Sequence, residues 1–363
     1  MKRLVLAVGA RPNFMKAAPI LRALDARGGW EAHLVHTGQH YDPALSDAFF
    51  RDLNLPKPTR SLDVGSGSHG QMTGRVLERF EAALLELKPD WVVVVGDVNS
   101  TLACALAAVK LHIRAAHVEA GLRSFDRRMA EEHNRVLTDH LCDLLLTTAE
   151  DDDANLAREG IPSSRVRLVG DTMIDTLLAL RGRFEPLSKT PAAGWEGKLF
   201  AVATAHRPEN VDGAGNLAHV VEVLEGTAAR LPTVLSLHPR TKVRLQSAGL
   251  WGRLERSGAL RVVEPLGYLA FMGIASRARV LVTDSGSLQQ EGLVLGVPCL
   301  TMRENTERPI TVRYGANRLV GTDPAKVLRA LDEVLSEPVP RYKTPPFWDG
   351  RAGERIAAAL EGA

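Results

Sequence analysis

The 363-residue chain reads as an α/β protein built from two doubly wound parallel-sheet halves. Three observations carry this. Short apolar runs alternate with segments of helical period along the length of the sequence. Some runs, such as Trp91-Val92-Val93-Val94-Val95, are apolar at every position, as strands covered on both faces must be. The pattern breaks between Leu180 and Leu199, where Pro186, Pro191 and Gly194 interrupt it, and then resumes. Two similar-sized halves, 1–180 and 181–345, imply a cleft between them, a common position for a ligand.

The elements follow in order. Arg3 to Val8 is a first strand, and Gly9-Ala10-Arg11-Pro12 a turn in which Pro12 starts a helix. That helix N-terminus offers N–H groups to an anion, with Arg11 and Lys16 close by. It is not a GxGxxG fingerprint, so no dinucleotide is inferred; both cations could equally be surface charges. Glu31 to His36 is the second strand, Thr37-Gly38-Gln39-His40 its exit, and Pro43 to Leu53 a helix. Gly65-Ser66-Gly67-Ser68-His69-Gly70 reads as a flexible loop near a ligand. A helix from Met72 to Lys88 carries Val76, Leu77, Phe80, Leu84 and Leu85 at mostly helical spacings. Then come strand Trp91–Val95, helix Leu102–Leu111, strand Arg114–Val118, helix Glu131–Leu141, strand Leu144–Thr147, helix Asp151–Arg158 and strand Arg165–Val169. Second-half strands fall near Leu199–Thr204, Thr233–Leu237, Leu260–Val263, Val280–Thr283 and Pro298–Met302. Pro324 to Leu335 is a helix, and Gly353 to Leu360 a final one.

Composition excludes several classes. With 45 Lys+Arg against 43 Asp+Glu and no basic run of five, a dedicated nucleic-acid binder is not expected. No apolar stretch approaches the ~20 residues of a membrane span. The first apolar run is short and ends in a turn, so it is read as a strand and not a leader. Three scattered cysteines, Cys104, Cys142 and Cys299, form no CxxC; a reducing cytoplasm fits, without disulfide or structural zinc.

Chemistry concentrates at strand ends, where open α/β sheets place ligands. Asp97 follows the Trp91–Val95 run, Glu119 the Ala115–Val118 run, and Glu131 opens the helix beyond. Carboxylates gathered in one crevice cannot all ionise freely, which leaves a proton donor beside a base. Taken singly, Asp97 could be a cap, Glu119 a buried ion-pair partner and Glu131 a first-turn acid. In the second half, Asp284-Ser285-Gly286-Ser287 closes a strand and opens a helix whose small residues leave N–H groups open to a diphosphate. Glu291, a turn and a half further, could accept from a ribose diol; the alternative is a helix simply capped by Ser285. His206-Arg207 sits at another strand end, and His238 repeats that pattern. No HxxxH or HExxH spacing supports a metal, and no GxSxG elbow a hydrolase nucleophile.

Together these stretches resemble the non-hydrolysing UDP-N-acetylglucosamine 2-epimerase family. The matching segments are Gly9-Ala10-Arg11-Pro12, Thr37-Gly38-Gln39-His40, Gly96-Asp97, His117-Val118-Glu119-Ala120-Gly121-Leu122-Arg123, Glu131-Glu132-His133-Asn134-Arg135, Asp284-Ser285-Gly286, Thr306-Glu307-Arg308-Pro309 and Leu319-Val320-Gly321-Thr322. The resemblance implies a glycosyltransferase-B-type fold, two Rossmann-like domains facing a cleft, with residues 346–363 returning as a helix to the N-terminal domain. It implies interconversion of UDP-N-acetylglucosamine and UDP-N-acetylmannosamine through UDP elimination, 2-acetamidoglucal and re-addition, with no cofactor and no metal, in a homodimer. By the same resemblance Asp97, Glu119, Glu131 and His206 match catalytic positions. Arg11, Lys16, Phe271, Ser285, Gly286, Ser287, Glu291 and Arg308 match nucleotide-sugar contacts. Departures from the family pattern include Ala10, Asn13, Asn99, Ala130, Leu266, Ser287 and Ile310; none removes a catalytic group, and they bear on which sugar is accepted, whereas Asp42, in place of a Gln near Gln39-His40, bears on activation by a second UDP-N-acetylglucosamine. Rival readings are a glycosyltransferase on the same fold, a hydrolysing epimerase that releases UDP irreversibly, and a sugar-nucleotide sensor with a dead site.

Overall fold

The computed structural model describes residues 1–38, 53, 55–338 and 340–363. The expected Gln39-His40 exit, Asp42 and the helix from Pro43 lie outside the described residues. The chain divides into two compact units, one formed by Met1–Ala179 with Pro345–Ala363, the other by Leu180–Thr344.

In the first unit the strands are β1 (Lys2–Val8), β2 (Trp30–His36), β3 (Arg60–Ser61), β4 (Trp91–Val95), β5 (Arg114–Ala120), β6 (Leu144–Thr147) and β7 (Val166–Leu168). They pair in parallel in the order β3-β2-β1-β4-β5-β6-β7. Helices α1 (Arg11–Arg27), α2 (His69–Leu87), α3 (Asn99–Lys110), α4 (Ala130–Leu141), α5 (Glu150–Arg158) and α6 (Thr172–Leu180) connect them. Every residue of β4 is buried, which is why its run shows no alternation. Alanines 103, 105, 107 and 108 let α3 lie close to the sheet and to α2.

Strand order reverses between β1 and β4, so the segments leaving these neighbours run to opposite faces and leave a crevice at their carboxyl ends. The expected flexible loop is shorter than its composition suggested. Ser68 caps α2 by accepting from the Gln71 N–H at 3.3 Å, while the Gln71 side chain accepts from the Ser68 N–H at 3.1 Å. This capping box draws His69 and Gly70 into the helix. Two short strands, β3 and the last of the second unit, carry too few residues for a periodic signal.

The second unit holds β8 (Ala201–Thr204), α7 (Pro208–Val211), α8 (Ala214–Arg230), β9 (Thr233–Ser236), α9 (Pro239–Ser247), α10 (Trp251–Glu255) and β10 (Leu260–Val263). It continues with α11 (Tyr268–Ala275), β11 (Val280–Thr283), α12 (Gly286–Leu295), β12 (Cys299–Thr301), α13 (Pro309–Arg313), β13 (Asn317–Leu319) and α14 (Pro324–Ser336). Its parallel order is β10-β9-β8-β11-β12-β13, with reversal between β8 and β11. Both units therefore carry a Rossmann-like winding.

The terminal helix α15 (Ala352–Gly362) belongs to the first unit and packs on α1. Gly353 lies so close that an added Cβ would meet the Pro19 carbonyl oxygen at 2.5 Å. Pro19, inside α1, has no N–H for the Met15 carbonyl; the Thr176 hydroxyl donates to it instead at 2.6 Å. Asp175 accepts from the Ala352 and Gly353 N–H groups, at 3.0 and 2.8 Å, and the Trp348 indole donates to the Thr148 carbonyl at 3.0 Å. Cys104, Cys142 and Cys299 are free and buried. Among the described residues, no helix is long and apolar enough to cross a membrane.

Candidate active site

In the first unit the predicted carboxylates lie at the reversal point and on the next strand. The turn after β4 needs Gly96: its φ is +72°, and a Cβ there would meet the Lys16 ammonium at 3.0 Å. Asp97 follows, with its side chain 33% exposed. Arg135 of α4 donates to it at 2.5 Å, and the Asn134 amide donates to its backbone carbonyl at 2.9 Å. Arg135 is itself buried and held by Glu132 at 2.7 Å. Burial raises the Glu132 carboxyl, but bonds from Ser124 and Arg135 outweigh it and leave the group below its ordinary range.

Glu119 has the least ordinary backbone. Its φ is +69°, and the register of β5 against β6 shifts between Val118 and Ala120, so it occupies a bulge. A non-glycine residue in this conformation costs roughly 1–3 kcal/mol and is retained where the side chain must point a particular way. Here the carboxylate turns to meet the Lys16 ammonium at 2.6 Å, both groups buried. It also lies beside Gly96, whose added Cβ would be 3.9 Å from Glu119 Oε2. Asn13 braces the same turn: its carbonyl oxygen accepts from the Gly9 and Ala10 N–H groups, and its amide donates to the Val95 carbonyl at 3.0 Å. Glu131, in the first turn of α4, is half-buried, and its side chain has no hydrogen-bond or ion-pair partner among the described residues. Two of the three carboxylates therefore each face their own cation, in place of the mutual repulsion expected from spacing. Arg11 opens α1, and its side chain lies outside the described residues.

In the second unit the site forms where β8 and β11 end side by side. Asp284, fully buried, accepts from the His206 and Arg207 N–H groups, both at 2.9 Å, and from the Asn210 amide at 3.0 Å. Its other oxygen faces His206 Nδ1 at 2.9 Å. Burial alone would raise the Asp284 carboxyl; the His206 ring and the two N–H donors overcome that and hold it below the ordinary range. The His206 side chain is 41% exposed, so it is oriented from behind by a carboxylate while remaining open in front. Ser285 stands at the N-cap position of α12 but makes no capping bond; its hydroxyl lies 3.3 Å from that of Ser287. The simple capped helix is thus not what forms, and the first turn, with Gly286 and Ser287, contains no acidic residue.

Glu291 is buried on α12 and accepts from the Tyr268 hydroxyl at 3.0 Å. That tyrosine opens α11, on which Phe271 is half-buried. Arg308 precedes α13; its N–H donates to the Thr306 hydroxyl at 3.0 Å, and that hydroxyl donates to Gln289 at 2.6 Å. Arg303 grips Glu307 through two 2.8 Å bonds. Sequence reasoning passed over Arg135, Asp284, Asn13 and Asn134 as working groups. Arg135 had a signal: it stands one helical turn after Glu131 and one before Asp139. Among the described residues, no cluster of three or more His, Cys, Asp or Glu is placed to hold a metal ion.

Comparison with known proteins bears on this geometry. The profile of the UDP-N-acetylglucosamine 2-epimerase family matches residues 22–361. The UDP-N-acetylglucosamine 2-epimerase of Methanocaldococcus jannaschii is 42% identical over 366 residues, spanning 99% of this chain and 98% of that protein. The UDP-2,3-diacetamido-2,3-dideoxy-D-glucuronate 2-epimerase of Pseudomonas aeruginosa is 40% identical over 361 residues, spanning 99% of each. A crystal structure of the M. jannaschii epimerase in complex with UDP-GlcNAc and UDP aligns with a TM-score of 0.90 at 42% identity, covering 99% of this chain and 100% of that one.

Proposed function

The chain belongs to the UDP-N-acetylglucosamine 2-epimerase family, and on that premise we propose that it interconverts UDP-N-acetylglucosamine and UDP-N-acetylmannosamine without hydrolysis, as a cytoplasmic homodimer. The observation that carries the reading is the carboxylate set of the first unit: Glu119 turned on a strained bulge against Lys16, beside the turn that presents Asp97.

The C2 hydrogen of the sugar is not alpha to a carbonyl and is weakly acidic. Departure of UDP must therefore run ahead of proton removal. The C1–O bond breaks with its electron pair going to UDP, a carboxylate takes the C2 proton, and the C1–C2 double bond of 2-acetamidoglucal forms. Return of a proton to the opposite face of C2, with re-addition of UDP at C1, completes the inversion. Asp97 and Glu131 are the acid/base groups in this scheme, one charge-bonded and one whose side chain has no partner among the described residues. Glu119, locked to Lys16, orients the sugar or tunes them. The second unit contributes to leaving-group stabilisation through His206, Arg308 and the uncapped first turn of α12.

A second reading has its own support, since identity to the P. aeruginosa enzyme nearly equals that to the M. jannaschii enzyme. On that reading the sugar carries a second acetamido group and a carboxylate, and the chemistry at C2 is unchanged. Incubation with each UDP-sugar in D2O, followed by proton NMR, tests both. Formation of UDP-N-acetylmannosamine with deuterium at C2 supports the first. Turnover of only the diacetamido uronate would move the assignment to the second. Free N-acetylmannosamine released in step with UDP would replace the non-hydrolysing reaction with the hydrolysing one.

A further inference from the structure

We propose that His117 and Asp139 form a buried positioning pair that fixes the Asp97 turn relative to the Glu119 bulge; the inference rests on the functional reading above. The parallel ladder between β4 and β5 ends at Val95 and Val118, with one further bond from the Gly96 N–H to the Val118 carbonyl. Beyond that point the two chains leave extended geometry. Gly96, Glu119 and Gly121 all have positive φ, at +72°, +69° and +80°. Backbone pairing no longer sets how Asp97 and Glu119 stand to one another, so side chains must.

One imidazole and one carboxyl supply the missing link. His117 Nε2 lies 2.7 Å from the Gly96 carbonyl oxygen, which can only accept, so Nε2–H donates. That carbonyl belongs to the peptide leading into Asp97. His117 Nδ1 lies 2.6 Å from Asp139 Oδ1. The second Asp139 oxygen accepts from the Gly121 N–H at 3.0 Å and faces the Arg123 guanidinium at 2.7 Å. Gly121 stands two residues past Glu119. A continuous chain of bonds thus runs from one catalytic turn to the other through α4, which also supplies Arg135 to Asp97. His117 and Asp139 are both fully buried, so neither is a surface ornament. Burial raises the Asp139 carboxyl, and its bonds to the His117 ring and the Arg123 guanidinium more than reverse that, so it holds the Gly121 turn as a charged acceptor.

The plain alternative is that the pair only stabilises the unit. Kinetics separate the two. A Gln side chain places its amide nitrogen where Nε2 stands, whereas Asn reaches only to the Nδ1 position. His117→Gln should keep the bond to Gly96 and lose less than about fivefold in kcat. His117→Asn should lose roughly 30- to 100-fold in kcat with KM within about twofold, the scale expected of a misplacement near 1 Å. Asp139→Asn should fall between them and raise hydrogen exchange at the Gly121 amide at least tenfold. Deuterium entry at C2 should slow in step with kcat. If His117→Asn fails to fold, the comparison of His117→Gln with Asp139→Asn carries the test. Equal kcat losses for Gln and Asn, or a KM rising in proportion, would overturn the positioning role. Wild-type turnover is the separate control: if neither UDP-sugar reacts, the functional reading falls. The pair is then judged on Gly121 exchange alone, and unchanged protection in Asp139→Asn would end it.

Discussion

Asp175 offers a test in which the sign of the effect is as informative as its size. It is 4% exposed and accepts from two N–H groups at the start of α15. Those bonds favour the carboxylate, yet burial wins and pushes its pKa up to about 6, from an ordinary value of 3.8. Between those two values the folded state holds the proton more tightly than the unfolded chain, so stability falls as pH rises through the window. Acidification from pH 7.5 to 4.5 should therefore stabilise the wild type through this group by about 2 kcal/mol, with a limit near 3 in stronger acid. Asp175→Asn removes the titration and leaves every other group shared. The expected outcome is that the stability advantage of wild type over Asp175→Asn grows by about 2 kcal/mol between these pH values. Hydrogen exchange of the α15 segment across a urea series, at both pH values, reads it locally. A pH-independent difference refutes the reasoning. An advantage that shrinks in acid refutes it more sharply, because the two N–H bonds would then dominate burial.

Other expectations follow from individual contacts. Gly353→Ala drives a Cβ against the Pro19 carbonyl and should destabilise the first unit by about 1–3 kcal/mol, seen as a lowered urea midpoint; no change would mean that α15 yields freely. Lys16→Met removes the cation beside the buried Glu119 carboxylate and should destabilise the first unit by about 3–5 kcal/mol, part of it recovered by adding Glu119→Gln; a merely additive double variant would deny the coupling. Asp97→Asn should keep its circular dichroism and lose roughly 10²–10⁴ in kcat, and near-normal turnover would remove Asp97 from the acid/base scheme.

What was legible in the sequence was whatever burial writes locally. Covered parallel strands must be apolar on both faces, so β4 announced itself, and alternation with helices gave the two windings. An apolar run ending at a carboxylate beside a glycine, Gly96 before Asp97 and Gly121 just after Glu119, pointed to both, because ligand positions in such sheets lie at strand ends. The capping box of Ser68 and Gln71 was also written in order, yet the glycine-rich composition around it pointed to a loop. There a local side-chain bond overrode composition.

Partner choice was decided elsewhere. Lys16 and Glu119 are separated by 103 residues, and Asp97 and Arg135 by 38. Nothing in the periodicity of either segment says that these charges meet. Likewise Asp284 reaches His206 across 78 residues only because β8 and β11 are sheet neighbours at a reversal of strand order. The positive φ of Glu119 comes from a register shift against β6, a property of two strands and not of one. Local sequence thus determined which segments become strands and helices, and which turns carry ionisable groups, because those follow from residue volume, polarity and backbone freedom within a few positions. Which charge faces which, and how a carboxylate is aimed, was set by strand order and register, because electrostatic pairing depends on distance in space and the chain brings together there what it keeps apart in sequence.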